Sequence, residues 1–132
     1  MPYISKLFFA ASLIYLTFGT AMGMLMAFRR GKWTLRLMPS HAHMNLLGWA
    51  SGFLFALAYT VIPQALGRPL YSGSLPYWHF GLWNTGLVGM ALMWASSRYP
   101  KSPVPPGLVV PFGALAVVSV WLFMINMAMT VF

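Results

Sequence analysis

The sequence contains no aspartate, no glutamate and no cysteine among its 132 residues. Without carboxylate side chains, the chain has no carboxylate pair for acid–base catalysis and no oxygen-rich site for calcium or magnesium. Without cysteine, disulfides, thiolate metal sites, iron–sulfur clusters and thioether-linked cofactors are excluded. The titratable side chains left for chemistry are three histidines, six tyrosines and eight lysines and arginines, and methionine is abundant, at 11 residues.

Charged residues are also scarce, at 6% of the chain, whereas 60% of the residues are apolar. A soluble domain carries about 25% charged residues. So few charges cannot cover a water-facing surface, and we therefore expect the chain to lie in lipid. The basic residues that give the chain its net charge of +8 lie in short segments between the apolar stretches. Lipid headgroups or anionic cofactor groups are the expected partners of these charges, and nucleic acid is not.

Four apolar stretches of about 20 residues or more are each long enough to cross the hydrocarbon core of a bilayer as a helix. We predict an all-α fold, a bundle of four transmembrane helices that forms one domain over residues 1–132. Ser40, after Pro39, is the expected N-cap of the second helix, and Pro63 is expected to end it. The predicted spans cover residues 7–28, 41–62, 77–97 and 108–132.

The basic residues are distributed unevenly between the two ends of the predicted bundle. Only Lys6 and Arg68 lie at the end that holds the termini. Six lie in the loops at the other end, namely Arg29, Arg30, Lys32, Arg36, Arg98 and Lys101. Because cytoplasmic loops carry an excess of lysine and arginine, this count places both termini outside.

Small residues recur every four positions in the first two spans. The patterns are Gly19-x-x-x-Gly23-x-x-x-Ala27 and Gly48-x-x-x-Gly52-x-x-x-Ala56. Such spacing lets helix backbones approach closely in lipid. It is consistent with ordinary packing inside one bundle, or with contact to another subunit or a flat cofactor.

His41 and His43 stand two residues apart in the second predicted span. Residues at this spacing on an α-helix are rotated by about 200°, so the two rings point to nearly opposite sides. A polar ring in a membrane helix needs a partner, which here is water, a headgroup, a backbone carbonyl, a metal or a haem iron. His79 begins the third span on the opposite membrane face, and we expect it to be interfacial.

Each histidine has its own helix face, and each face could take the plane of a porphyrin. His41 shares a small, open face with Asn45 and Gly48, whereas His43 shares an apolar face with Leu47. His79 lies about a membrane thickness away, at about 33 Å. A haem with two histidine ligands would therefore need a neighbouring copy of the chain.

Residues 40–49, SHAHMNLLGW, resemble the haem-bearing helix of haem–copper oxidase subunit I and of the related nitric oxide reductases. The resemblance extends over about 20 residues, from His41 to about Tyr59. It implies that His41 binds a high-spin haem and His43 a low-spin haem. In that family twelve spans form three four-helix arcs, so a chain the size of one arc is implied to assemble as a homotrimer.

The sequence also departs from that family. It has no His-Pro-x-x-x-Tyr pattern, no His-His pair and no proton-channel carboxylates, so complete oxidase activity is not expected. The family keeps its N-terminus inside, which would put the basic loop outside and conflicts with the charge count. Pairing of Arg29 and Arg30 with haem propionates would reconcile the two. Both topologies stay open.

We therefore expect a haem b-binding protein of a bacterial or archaeal cell membrane, acting in electron transfer or small-gas binding. The alternatives are a copper-handling protein that uses histidine and methionine ligands, or a packing subunit without a cofactor. The expected iron ligands are His41 and His43. The full predicted site consists of His41, His43, Asn45, Gly48, Arg29 and Arg30.

Overall fold

A computed structural model describes residues 1–29 and 31–132, and every regular element within these ranges is helical. Met44–Ser51 forms a π-helical segment between α2 and α3 without a break, so residues 32–66 are called the second helix below. A 3₁₀ turn at Pro106–Leu108 leads into α5. The α-helices are α1 (Tyr3–Phe28), α2 (Lys32–His43), α3 (Gly52–Leu66), α4 (Leu75–Ser97) and α5 (Val109–Val131).

Within the residues that the structure describes, three helical stretches are long and apolar enough to cross a membrane, as expected of a helical membrane protein. They are Tyr3–Phe28, Thr34–Leu66 and Pro106–Val131. The helix α4 has 23 residues and closely matches the predicted third span, but polar residues such as His79 and Asn84 make it less apolar. The four-helix bundle is thus confirmed as an architecture, with three helices of clear spanning character.

The second helix lies in the middle of the bundle. It packs against α1 on one flank and against α4 on the other, while α5 packs mainly on α4. Aromatic side chains from α1, the second helix and α5 meet in the core around His79 of α4. The ring of His79 is surrounded by Phe8, Phe55, Tyr59 and Phe123. The fold therefore leaves α1 and α5 on opposite sides of the helix that carries His41 and His43.

The second helix begins earlier than the sequence pattern predicted. Ser40 is not an N-cap; it lies inside the helix, is fully buried, and donates a hydrogen bond of 2.8 Å to the Ala91 carbonyl of α4. Pro63 also lies inside the helix, which continues to Leu66 and ends at Gly67, whose φ is 62°. The predicted boundaries at residues 41 and 62 are therefore wrong by several residues.

Pro39 is tolerated inside the second helix because another group replaces the hydrogen bond that it removes. A proline has no N–H, so the carbonyl four residues earlier, that of Leu35, loses its usual donor. Nη1 of Arg98, just after α4, donates to this carbonyl at 3.3 Å. The arginine thereby joins the end of α4 to α2.

The small-residue faces of the first two spans pack against each other within one chain. A Cβ on Gly19 would lie 2.5 Å from the Asn45 amide, and a Cβ on Gly48 would lie 2.4 Å from the Tyr15 ring. Ordinary packing inside the bundle is therefore confirmed for these patterns. The expectation that the Gly48 face is open to a neighbouring chain or a flat cofactor is wrong, because Tyr15 fills it.

The connection between α3 and α4 is tied to the end of α5. The backbone N–H of Ser72 donates to Oδ1 of the buried Asn126 at 2.9 Å, and the Asn126 amide returns a hydrogen bond to the Ser72 carbonyl. The Arg68 guanidinium donates to the Val131 carbonyl. These bonds fix the end of the bundle opposite to Arg98.

Candidate cofactor site

His41 lies in the seam between α1 and the second helix. Its Nδ1 is 2.9 Å from the Gly19 carbonyl oxygen, which can only accept, so Nδ1 carries the hydrogen. The Asn45 amide donates to the His41 carbonyl at 2.9 Å and lies beside the ring. Gly23 makes room for the ring, because a Cβ there would lie 2.7 Å from its Cε1. In the neutral tautomer that fits this bond, Nε2 is the nitrogen with the free lone pair.

His43 lies on the other flank and has the same hydrogen-bond arrangement. Its Nδ1 is 2.7 Å from the carbonyl oxygen of Pro39, one turn earlier in α2. This carbonyl also only accepts, so Nδ1 again carries the hydrogen, and in the neutral tautomer Nε2 has the free lone pair. The ring packs against Trp94 of α4, with 4.5 Å between ring centroids. The opposite orientation of the two histidines that the sequence predicted is thus realised across two different helix interfaces.

An apolar cavity of about 450 Å³ lies between the second helix, α4 and α5, and His43 is part of its lining. The other lining residues are apolar, apart from the indole groups of two tryptophans. They include Leu47, Trp83, Met90, Val120 and Trp121. The cavity lies within the range of about 300–1,000 Å³ that is usual for small-molecule sites.

His79 is not interfacial, contrary to the prediction. It is fully buried, and its Nδ1 lies 2.9 Å from the Tyr59 hydroxyl. Its Nε2 has no hydrogen-bond partner within the part of the chain that the structure describes. The structure does not bring His79 to His41 or His43, which face other helix interfaces.

Basic side chains lie at the end of the bundle closest to the histidine pair. Arg29 follows α1 and is exposed. Arg36 lies in α2 with its guanidinium carbon 5.9 Å from the centre of the Tyr99 ring. The predicted role of Arg30 falls outside the described residues.

Sequence reasoning missed Trp94 as a neighbour of His43 and Arg98 as the donor to the Leu35 carbonyl. The available signal for Arg98 was Pro39, which implies a carbonyl at Leu35 that needs a new donor. Within residues 1–29 and 31–132 no three histidine or acidic side chains come together as a metal-binding group.

These features define a class of helical membrane protein in which one helix has an imidazole ring on each flank, each with its Nδ1 on a backbone carbonyl. The chain matches the family of cytochrome c and quinol oxidase polypeptide I over residues 3–132, and it belongs to that family. The resemblance of residues 40–49 to haem–copper oxidase subunit I is thereby confirmed.

Two bacterial relatives show the extent of the similarity. The chain is 38% identical over 66 residues to cytochrome c oxidase subunit 1 of Rhodobacter capsulatus, and the match covers 48% of this chain and 12% of that protein. The same figures hold for a cytochrome c oxidase subunit 1 homolog of Agrobacterium tumefaciens (strain T37). The matched part is thus a small fraction of the length of these relatives. No solved structure matches the chain.

Proposed function

We propose that this chain is a haem b-binding protein of a bacterial inner membrane, with His41 and His43 as iron ligands. It would act in electron transfer or in binding a small gas. The observation that carries the proposal is the hydrogen bonding of the two rings, since each holds its Nδ1–H on a backbone carbonyl. Histidines that bind metals usually hold their other ring N–H in this way, which fixes the tautomer and the ring orientation.

The surroundings of His43 fit a porphyrin better than those of His41. His43 lines the apolar cavity of about 450 Å³, whose walls are formed mainly by hydrocarbon side chains. Haem b bound there would supply a one-electron iron couple. The chain would supply the ligand nitrogen of His43, the apolar wall at Leu47 and Trp83, and the ring of Trp94, which packs against the imidazole at a tilt and holds it in place.

His41 is the proposed ligand on the opposite flank, next to α1. The Gly19 carbonyl holds its ring at Nδ1, and the Asn45 amide bonds to the His41 backbone carbonyl, so the proposed role of Asn45 is to position His41. Arg29, at the end of α1, and Arg30 are proposed partners for carboxylates on this flank. Gly48, beneath Tyr15, contributes to the site by allowing α1 to approach.

We further propose that α4 crosses the membrane as a fourth span. Its 23 residues are long enough, at about 35 Å. Two of its polar side chains also bond inside the bundle, since Nδ1 of His79 bonds to the Tyr59 hydroxyl, and the Asn84 side chain bonds to Tyr15 and to the Phe80 carbonyl. Polar side chains that face the interior in this way are compatible with a lipid environment.

A homotrimer is the proposed assembly. The family match spans one four-helix unit, and the relatives are several times longer than this chain. Three copies of one unit could therefore provide a complete ring. Because Tyr15 covers Gly48, contacts between copies would use surfaces other than the Gly48–Gly52 face.

The test is the optical spectrum of the purified protein and of its histidine variants. The wild type should show a Soret band, and His43→Ala and His41→Ala should each lower or abolish it. Leu47→Ala is the matched control, because it enlarges the same cavity but removes no ligand nitrogen. Added imidazole should restore the band in His43→Ala.

The alternatives predict other results in the same experiment. Bound copper without a Soret band would favour a copper-handling protein, and neither metal nor band would favour a packing subunit. If His43→Ala and His41→Ala both kept the wild-type spectrum, the proposed ligands would be wrong.

A further inference from the structure

The apolar cavity beside His43 is lined by methionine sulfur as well as by imidazole. Within the described residues its lining includes three side chains that can bind haem iron, namely His43, Met90 and Met124. We propose that Sδ of Met90 is the second axial ligand of the iron that His43 binds, so that one chain completes a six-coordinate site on this flank. The inference rests on the proposed haem function and adds a ligand that the sequence pattern did not single out.

Met90 lies one helical turn from the residue that contacts His43. It precedes Trp94 by four residues in α4, which puts both on the same face, about 6 Å apart along the axis. The Trp94 ring in turn packs against the His43 ring, with 4.5 Å between the ring centroids. Met90 is buried, at 6% exposure, so its thioether faces the interior of the bundle. A flexible thioether at this position is therefore close to the ligand nitrogen of His43.

His43 and Met90 belong to different walls of the cavity. The helices α4 and α5 form one wall and pack closely, because Gly86 and Gly89 leave room for α5. Sδ of Met90 lies toward α5, where a Cβ on Gly113 would be 3.7 Å from it. The second helix forms the other wall and carries His43. A flat ligand between these walls would have an imidazole on one side and a thioether on the other.

Met124 is less suited to bind the same iron. It follows Gly113 by 11 residues in α5, which places it about 16 Å further along the axis, whereas Met90 lies beside Gly113. Its side chain is also 57% exposed, in contrast to the buried Met90. The thioether that can share a ligand with His43 is therefore that of Met90.

A thioether ligand changes the properties of the haem iron. Methionine sulfur is neutral and polarisable, and a histidine–methionine ligand pair raises the reduction potential of a haem. With both axial positions filled by side chains of one chain, the iron has no open position for a substrate. Of the two proposed roles, this ligand pair favours electron transfer over gas binding.

The test uses the purified protein with its haem and a spectral feature that depends on sulfur ligation. Ferric haem with a histidine and a methionine ligand has a weak charge-transfer band in the far red, which two histidine ligands do not give. The wild type should show this band. Met90→Leu keeps a similar size and an apolar side chain, so it should retain a Soret band but lose the far-red band and become high-spin. Its preference for ferrous iron should fall at least about 10-fold, which corresponds to about 59 mV in the midpoint potential.

Met127→Leu is the matched control, because Met127 is similarly buried but does not line the cavity. It should keep the far-red band and the wild-type potential. Met90→His provides a second variant, which should stay low-spin and show the spectrum of two histidine ligands even if Met90→Leu does not fold.

A wild-type haem spectrum without the far-red band would overturn the assignment and leave the haem proposal intact. A band that persists in folded Met90→Leu or Met90→His, or that disappears in Met124→Leu instead, would do the same. If the wild type had no Soret band at all, the haem proposal itself would fail, and this inference with it.

Discussion

The Tyr59 hydroxyl and Nδ1 of His79 form a hydrogen bond of 2.9 Å in a core where both side chains are fully buried. Tyr59→Phe would leave this nitrogen without a partner in an apolar environment, which should lower the free energy of unfolding by about 1–3 kcal/mol. Denaturant unfolding in detergent micelles measures the change. Tyr71→Phe is the control, because the side chain of Tyr71 is mostly exposed. Equal stabilities of Tyr59→Phe and the wild type would contradict the importance of the bond.

His79 should not contribute to the haem spectrum. Its ring is enclosed by Phe8, Phe55 and Phe123, and it does not line the cavity at His43. His79→Phe should therefore lower the stability of the bundle while the positions of the Soret band and the visible bands stay unchanged. Reduced-minus-oxidised spectra of folded His79→Phe provide the check, and a bleached but folded variant would refute the ligand assignment.

Gly48 should be required for the contact between α1 and the second helix. In Gly48→Ala the new methyl group would lie 2.4 Å from Cγ of Tyr15, so one of the two helices must shift. We expect a loss of about 1–3 kcal/mol in the free energy of unfolding. Gly81→Ala is the matched control, because nothing lies within 4 Å of a Cβ at that helical position. It should be neutral or stabilising by up to about 1 kcal/mol.

Pro39 and Arg98 should be energetically coupled through the Leu35 carbonyl. Arg98→Met should cost up to about 1 kcal/mol of unfolding free energy in the wild type, because the carbonyl loses its donor. In the Pro39→Ala background the backbone N–H at position 39 can make the ordinary helical bond, so the same change should cost less. A double-mutant cycle measures the difference. Simple additivity of the two substitutions would show that the arginine does not compensate for the proline.

Assembly can be tested independently of ligand identity. Native mass spectrometry in detergent should show a trimer that carries haem. A haem-loaded monomer with the spectrum of two histidine ligands would reject the trimer, because His41 and His43 lie on opposite flanks of one helix.

The bundle was largely predictable because bilayer thickness sets the length of apolar stretches. The bounds of α1, α4 and α5 fall within about four residues of the predicted spans. The start of the second helix was not predictable in this way. Pro39 and Ser40 resemble a helix start, and only the tertiary contact from Arg98 explains why the helix continues through them.

Only those features of the candidate site that follow from the geometry of a single helix could be predicted. The opposite orientation of His41 and His43 follows from their spacing alone. The burial of His79 depends on Tyr59, 20 residues away on another helix, and local spacing does not encode such a pairing. The filling of the Gly48 face by Tyr15 was missed for the same reason.

Arg98 on the Leu35 carbonyl and Arg68 on the Val131 carbonyl join helices at opposite ends of the bundle without an acidic partner. A bond between a guanidinium and a carbonyl dipole acts at short range, whereas attraction between two full charges at a surface is weakened by dissolved ions. Acid also cannot break these bonds by protonating a carboxylate, because neither bond contains one. The cohesion of this bundle should therefore depend little on ionic strength and tolerate acidic conditions that disrupt proteins held together by ion pairs.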